Sequence, residues 1–350
     1  FAVSCKRLHD MKKTGSLPTI TDVAKTAGVS IATVSRVINN LDHVNEETIQ
    51  RVRAAIDELN YTPSAAAQDL AKRVTNTIGL LVPEISGMFF QPMLSGIETS
   101  AGSAGFDLFI QTTRNPLTGN RQRRKLAEHN TDGLLVFAGS LEKDELARVK
   151  RNNFPVVLLF QAPPREIDLP SITIENLSGT RKLVDHLIEE HQCQRILFLR
   201  GPEMHEDSMW REKGYRESLT AHGIPFDPLL VNCGDFNHDV AHFTMQQTIR
   251  EGIDFDAVFA GDDDAALGVL LALREAGIRV PEDVAVVGFD DQLFSSTLVP
   301  PLTTVRAPIH EVGLRAAEML IGIIKGGEDI PHLVLPTELV IRQSCGCSGH

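Results

Sequence analysis

The alternation of apolar and polar positions changes rhythm along the chain. Between Thr19 and Leu59 apolar residues recur at helical spacing in three short bursts. Thr19 has Asp22 three residues on and is followed by Val23, Ala24 and Ala27, the pattern of a capped helix that Gly28 stops. Ser30 can cap a second helix, from Ile31 to about Asn39. It turns Val34, Val37 and Ile38 inward and leaves Ile31, Ala32, Ser35, Arg36 and Asn39 outside. Asn45 can cap a third, in which Ile49, Val52, Ile56 and Leu59 share one face and close a three-helix core. Asn60-Tyr61-Thr62-Pro63 breaks the pattern. The Ala-rich stretch from Ser64 to Lys72 then reads as a further short helix, marginal in water on its own.

From Thr77 the rhythm becomes short apolar runs: IGLLV (78–82), FDLFI (106–110), GLLVF (133–137), VVLLF (156–160), ILFL (196–199), AVFA (257–260) and VAVVGF (284–289). Amphipathic stretches such as 91–104, 183–190, 210–222 and 265–276 separate them. Continuous apolar strands alternating with helices predict an α/β fold whose parallel sheet is covered on both faces. The strands are too many for one ordinary sheet, so two doubly wound lobes are expected, with ligands beyond the carboxyl ends of the strands.

Charge sharpens this division. The 350 residues carry a formal net charge of -12, yet residues 1–75 hold ten Lys/Arg against eight Asp/Glu and so are net positive. An acidic body repels phosphate, which confines any nucleic-acid contact to the N-terminal module. Five cysteines at scattered positions suit a reduced, cytoplasmic protein better than a disulfide scaffold. No run approaches the roughly 18 apolar residues of a membrane span. The opening FAVSCKRLHDMKK lacks the apolar stretch of a signal peptide; since the sequence opens at Phe1, Met11 is expected as the natural start and residues 1–17 as a disordered extension.

Two short helices joined by a tight Gly turn, the second presenting small residues and one Arg, meet the needs of a helix-turn-helix entering the DNA major groove. On spacing alone an ordinary helical hairpin fits equally well. The stretch DVAKTAGVSIATVSRVINN, however, closely resembles the headpiece of the lactose-repressor and galactose-repressor (LacI/GalR) family of bacterial transcription regulators. The match runs without a gap through Leu70 and recurs in pieces to about Leu339.

This resemblance implies a DNA-binding headpiece at 18–62, a hinge helix at 63–75 and an effector-binding, dimerising core at 76–345. The core would consist of two lobes of periplasmic-binding-protein type around a cleft. The N-lobe would take about 76–174 and 304–331, the C-lobe about 175–303 and 332–345. On the DNA side, Arg36 suits a guanine edge and Ile31 and Ala32 suit base methyls. Thr33, Asn39, Asn40 and His43 would touch phosphate, with Thr19, Ser35 and Ala67 also in the interface. Leu70 matches the hinge residue that the family pushes between central base pairs, favouring an easily unstacked pyrimidine-purine step. A two-fold dimer demands a near-palindromic operator.

On the effector side, Arg211 in Ser208-Met209-Trp210-Arg211-Glu212-Lys213-Gly214-Tyr215 falls on the family's ligand-binding Arg, whose guanidinium grips hydroxyls or a carboxylate. Asp263, in Gly261-Asp262-Asp263-Asp264, takes the position of an Asp that accepts hydrogen bonds from ligand. Phe236 matches a stacking aromatic, and Phe89 and Phe90 occupy the mouth of the N-lobe. Gln161 follows VVLLF where many relatives carry Asp directly after the strand, a departure that suits a less polar or an acidic ligand. Cys345-Gly346-Cys347 offers only half of a tetrahedral metal site and reads as a plain tail, and no leucine heptad follows Ile341, so a homodimer is expected.

The expected protein is therefore a repressor controlled by a small metabolite, with a sugar or sugar derivative as the default, and with no metal, cofactor or membrane partner. An enzyme reading finds no Gly-x-Gly-x-x-Gly after the first strand, no P-loop and no Gly-x-Ser-x-Gly. An exported solute receptor would have no use for the headpiece.

Overall fold

The computed structural model describes residues 18–38, 44–61, 75–113, 130–327 and 332–348, and the chain divides into two units, 1–75 and 76–350. The expectations for residues 1–17, for Asn39, Asn40, His43, Ala67 and Leu70, and for the hinge helix lie outside the described residues.

In the first unit α1 spans Ile20–Ala27, α2 Ile31–Ile38 and α3 Glu46–Leu59. The backbone N–H and hydroxyl of Thr19 both donate to Asp22 Oδ2, at 2.9 and 2.7 Å, and close the start of α1. Gly28 ends it in the left-handed region, at φ +65°, where a Cβ is disfavoured. Ser30 Oγ accepts from the Thr33 N–H at 3.1 Å and Asn45 Oδ1 from the Thr48 N–H at 2.8 Å. Each bond satisfies a donor that a helix start leaves orphaned. Val23, Ala24, Ala27, Val34, Val37, Val52 and Ala55 form the buried core; Ile38, Ile49, Ile56 and Leu59, read as inward from the spacing, pack against it partly buried, and Ala55 is not among the residues the spacing names.

The second unit begins with β1 (Thr77–Val82), α4 (Phe90–Ser103), β2 (Asp107–Thr112), β3 (Gly133–Phe137), α5 (Lys143–Arg151), β4 (Val156–Leu159) and β5 (Ser171–Ile174). It continues through α6 (Asn176–His191), β6 (Ile196–Arg200), α7 (Glu206–Ala221), β7 (Val231–Cys233), α8 (His238–Arg250), β8 (Ala257–Ala260), α9 (Asp263–Glu275) and β9 (Ala285–Val287). Then come β10 (Thr304–Arg306), α10 (Ile309–Ile324), β11 (His332–Leu335) and β12 (Glu338–Val340). Six strands form the N-lobe sheet in the order β11-β5-β4-β3-β1-β2 and four form the C-lobe sheet in the order β7-β6-β8-β9. Both are parallel throughout, while β10 and β12 pair antiparallel. No helix among the described residues is long and apolar enough to cross a membrane.

The order of strands reverses between β1 and β3 in one lobe and between β6 and β8 in the other, which places a crevice beyond their carboxyl ends. Helices α4 and α10 cover the N-lobe sheet at close range. A Cβ at Gly96 would strike the His310 carbonyl, and one at Gly313 the Met93 carbonyl.

Two expectations need correction. The chain does not recross to the C-lobe near Pro331, because His332–Leu335 pairs with Ser171–Ile174 and completes the N-lobe sheet. The return crossing is instead β12, paired with the outgoing β10. FDLFI is also shifted, to Asp107–Thr112, and among the described residues it is an edge strand, with Phe109 and Ile110 exposed.

Candidate functional site

In the first unit the outward side of α2 carries the residues expected to meet DNA. Ile31 is 49% exposed despite its apolar side chain. Ala32 and Arg36 are exposed and Thr33 and Ser35 half-buried. Thr33 Oγ1 lies 2.9 Å from Ser30 Oγ, so Thr33, like Thr19, takes part in a helix cap as well as facing outward. The result is a low-relief helical face with one guanidinium on it.

In the second unit a cleft of about 770 Å³ opens between the two lobes. Its N-lobe wall includes Phe89, Phe90, Phe137 and Gln161, and its C-lobe wall Arg211, Phe236, Asp262 and Asp290. Phe89 meets Phe90, Phe137 and Phe160 edge-on at 5.4–6.1 Å, so one apolar cluster backs the N-lobe side. His205 bridges the lobes, its ring 6.2 Å from Phe137 and 5.5 Å from Phe236. Burial pushes His205 below the usual imidazole range. The backbone N–H of Ala162 donates to Glu206 Oε2 at 2.5 Å, a direct polar tie across the cleft.

Arg211 is only 2% exposed and is held from three sides. Its Nε donates to Asn176 Oδ1 at 2.9 Å, Nη1 to the Gly261 carbonyl at 2.6 Å and Nη2 to Asp290 Oδ1 at 3.1 Å. The guanidinium carbon stands 3.7 Å from the centroid of the Phe289 ring, close enough for a cation–π contact. Asn176 in turn donates to Asp207 Oδ1 at 2.7 Å. A guanidinium has five N–H groups, and three are used here. Burial raises Asp290 well above the usual carboxylate range, and Arg211 opposes that rise.

Asp263 does not belong to this group. It is fully buried and absent from the cleft wall among the described residues. Its Oδ2 accepts from the Gln292 N–H at 2.8 Å and the Ser295 hydroxyl at 2.5 Å, its Oδ1 from the Thr304 hydroxyl at 2.6 Å. Its acceptors face the protein, tying α9 to the loop after β9 and to the crossing strand β10. The neighbour Asp262 caps α9 through the Ala265 N–H at 2.8 Å and faces the cleft, with burial pushing it up to about 7. Sequence reasoning missed Asp262, Asp290, Asn176, His205 and Asp207. For Asp290 the signal was present: VAVVGF is an apolar strand and Asp290 follows it directly.

Four cleft-lining side chains bury a polar atom that has no hydrogen-bond partner among the described residues: Ser140 Oγ, Gln161 Nε2, His205 Nδ1 and Gln292 Oε1. An unsatisfied buried polar group costs about 1–3 kcal/mol, so their convergence on one cavity favours a partner rich in hydrogen-bonding groups. Among the described residues nine carboxyl groups line the same cavity (Glu84, Glu142, Glu145, Glu206, Asp207, Asp235, Asp262, Asp264 and Asp290), beside the guanidinium of Arg211.

Residues 19–64 match the family described as bacterial regulatory proteins, lacI family, and residues 184–345 match a periplasmic binding protein-like domain. The chain is 37% identical over 336 residues to the HTH-type transcriptional regulator CelR of Thermobifida fusca, covering 93% of this chain and 98% of that one. It is 32% identical over 338 residues to the HTH-type transcriptional repressor CytR of Escherichia coli (strain K12), covering 95% and 98%. Among solved structures it is similar to a CelR–cellobiose complex, with 34% identity, a TM-score of 0.70 and 93% and 99% of the two chains covered. It is also similar to a lac repressor dimer bound to operator and the anti-inducer ONPF, with 29% identity, a TM-score of 0.76 and 94% and 99% covered.

Proposed function

The chain belongs to the LacI family of bacterial DNA-binding transcriptional regulators, not to an enzyme family, and from that premise we propose that it is a cytoplasmic repressor whose operator affinity is set by a neutral carbohydrate. The observation that carries the effector class is the chemistry of the cleft. Aromatic rings stand on both walls, unpartnered donors and acceptors lie between them, and among the described residues nine carboxyl groups, with Asp262 and Asp290 raised by burial, line the cavity beside the guanidinium of Arg211. A sugar offers an apolar ring face to the former and hydroxyls to the latter. A sugar acid would bring its own negative charge into an acidic cavity, so the charge of the wall weighs against the acidic ligand that Gln161 suggested. The volume lies within the usual range for small-ligand sites, about 300–1,000 Å³. Because one solved relative is a CelR–cellobiose complex, cellobiose is the first compound to try.

The α2 helix would lie in the major groove, Arg36 reading a guanine edge and Ile31 and Ala32 permitting close approach. Two copies would present two such helices to a near-palindromic site. On the C-lobe, Leu267 and Leu271 lie one turn apart on α9 with 38% and 37% of their surfaces exposed, an apolar strip suited to a second copy. A ligand that prefers one lobe arrangement shifts DNA occupancy only by its differential affinity, typically about 1–3 kcal/mol of coupling.

Fluorescence anisotropy of the full-length protein on a labelled palindromic duplex tests the reading. Neutral disaccharides are expected to change the DNA dissociation constant by about 5- to 150-fold, and Arg211→Ala to abolish that response. Indifference to every neutral carbohydrate, with a response to a sugar acid or a purine, would overturn the effector assignment.

A further inference from the structure

The tail that reads as an inert Cys-Gly-Cys in the sequence does not stand alone in the fold. Helix α6 ends at His191, and its last turns bring His186 and His191 beside Cys345 and Cys347, with all four donor atoms within 4.8 Å of one another. His186 Nε2 lies 3.6 Å from both Cys345 Sγ and Cys347 Sγ, and His191 Nε2 lies 3.4 Å from Cys347 Sγ. With Zn–S near 2.3 Å and Zn–N near 2.05 Å, the edge of a tetrahedron joining S to N is about 3.6 Å. These three S–N separations match that edge, and the remaining pairs of donor atoms lie within 4.8 Å.

We propose that His186, His191, Cys345 and Cys347 form a structural zinc site that fastens the end of the chain to the C-lobe. Two thiolates and two imidazoles are the donor set of borderline-soft, tetrahedral zinc. Four protein ligands close the coordination sphere and leave no position for water or substrate, so the metal has a structural rather than a reactive role.

The surroundings fit that role. Gly346 takes φ +107°, which lets two cysteines separated by one residue turn toward the same point, and a Cβ there would already touch the His191 ring at 3.3 Å. The Thr303 hydroxyl donates to Cys345 Sγ at 3.1 Å, the kind of outer hydrogen bond that orients a metal ligand. Ser344 anchors the same segment, accepting from the Thr303 N–H at 2.8 Å and donating to the Val286 carbonyl at 2.5 Å. The segment carrying both thiols directly follows β12, the return crossing. Zinc would thus lock the last crossing strand to α6 at the end of the C-lobe sheet opposite the cleft.

The experiment uses the full chain, kept reduced with a phosphine and freed of metal, then titrated with cobalt(II) and with zinc. One equivalent of cobalt per chain is expected to give thiolate-to-cobalt charge-transfer bands and the strong visible bands of tetrahedral S2N2 coordination, both lost when zinc is added. Zinc is expected to raise the melting temperature. Cys347→Ser and His191→Gln, each shown folded by circular dichroism, should bind at least about tenfold more weakly, within the range that loss of ligand support produces. Cys233→Ser should bind like the parent. Absence of tetrahedral cobalt bands in the folded, reduced parent, or equal metal retention by Cys347→Ser and the parent, would overturn the assignment.

Discussion

Replacing Arg211 with Met keeps a long apolar stem over Phe289 but removes the only positive charge beside Asp290 within the hydrogen-bonded group. Both partners are buried, with 3% and 4% of their side-chain surfaces exposed. Stranding one member of a buried ion pair costs about 3–5 kcal/mol, and the Gly261 carbonyl and Asn176 Oδ1 lose a donor at the same time. At roughly 2–4 °C per kcal/mol for domains of this size, Arg211→Met should lower the melting temperature by about 6–20 °C at neutral pH. The penalty should also depend on pH. Burial already raises Asp290, and Arg211 is the group that opposes the rise, so the variant's Asp290 titrates higher still. Its folded form then keeps a proton that the unfolded form, near 3.8, releases. With more protons bound when folded, stability falls as pH rises, by up to about 1.4 kcal/mol per unit until the folded carboxyl ionises. Because burial raises Asp290 in the parent too, parent and variant lose stability together until the parent's carboxyl ionises, and scanning calorimetry across a pH series should show the gap widening above that point, where only the variant still keeps the proton. Adding Asp290→Asn to the variant should remove the widening. A gap that is constant with pH, or no gap at pH 8, would refute the view that this pair is a buried and mutually dependent unit.

Three further substitutions probe other parts of the chain. Arg36→Ala should cost about 1–3 kcal/mol on the preferred operator and relax the base preference at one position per half-site, as read by binding to a randomised duplex pool; an unchanged preference would remove Arg36 from base readout. Asp263→Asn replaces a carboxylate that accepts three hydrogen bonds with an amide that has one oxygen, so it should destabilise the core by about 1–3 kcal/mol at pH 8 while leaving the effector response in place. Burial holds Asp263 up at about 6, so its folded form binds the extra proton between about pH 4 and 6; the parent loses stability across that window and the Asn variant should not. Gly313→Ala drives a methyl into the Met93 carbonyl and should destabilise the N-lobe by about 1–3 kcal/mol without changing DNA base preference, measured by urea unfolding and the same duplex pool.

The elements with caps and clean periodicity were legible in the sequence. Thr19 with Asp22, Ser30 with Thr33 and Asn45 with Thr48 each make the bonds their spacing implies. The central strands β1, β3 and β4 were legible because burial on both faces leaves them uniformly apolar. Short strands were not: β7, β10 and β12 have three residues each, too few to show a period. Strand β11 was hidden for another reason, since His332–Leu335 alternates in burial at a sheet edge and its partner lies about 160 residues earlier. In the site, Arg211 was legible from a local motif. The choice among Asp262, Asp263 and Asp264 was not, because three adjacent carboxylates at a helix start differ only in direction. Long-range packing sends one to a cap, one to Ser295 and Thr304, and one to the His238 backbone N–H at 2.9 Å.

That long-range packing also explains how the cleft and the crossings are joined. Asp290 and Asp291 both sit at positive φ, 107° and 55°, where non-glycine backbone is held only by surrounding structure. Asp290 points its carboxylate at Arg211, and its backbone N–H donates to the Val305 carbonyl on β10 at 2.8 Å. Asp291 turns the other way and holds two crossing segments at once, accepting from Arg306 Nε at 2.8 Å and from Arg342 Nη2 at 2.6 Å. Arg306 lies on β10 and Arg342 just beyond β12, so one strained dipeptide connects the cleft wall to both. Under the proposed reading, a change in lobe angle would turn about these crossings and would have to alter the geometry at Asp291 or carry Asp290 with it, so a ligand touching the Arg211–Asp290 pair would act one peptide bond away from the residue that holds both crossings.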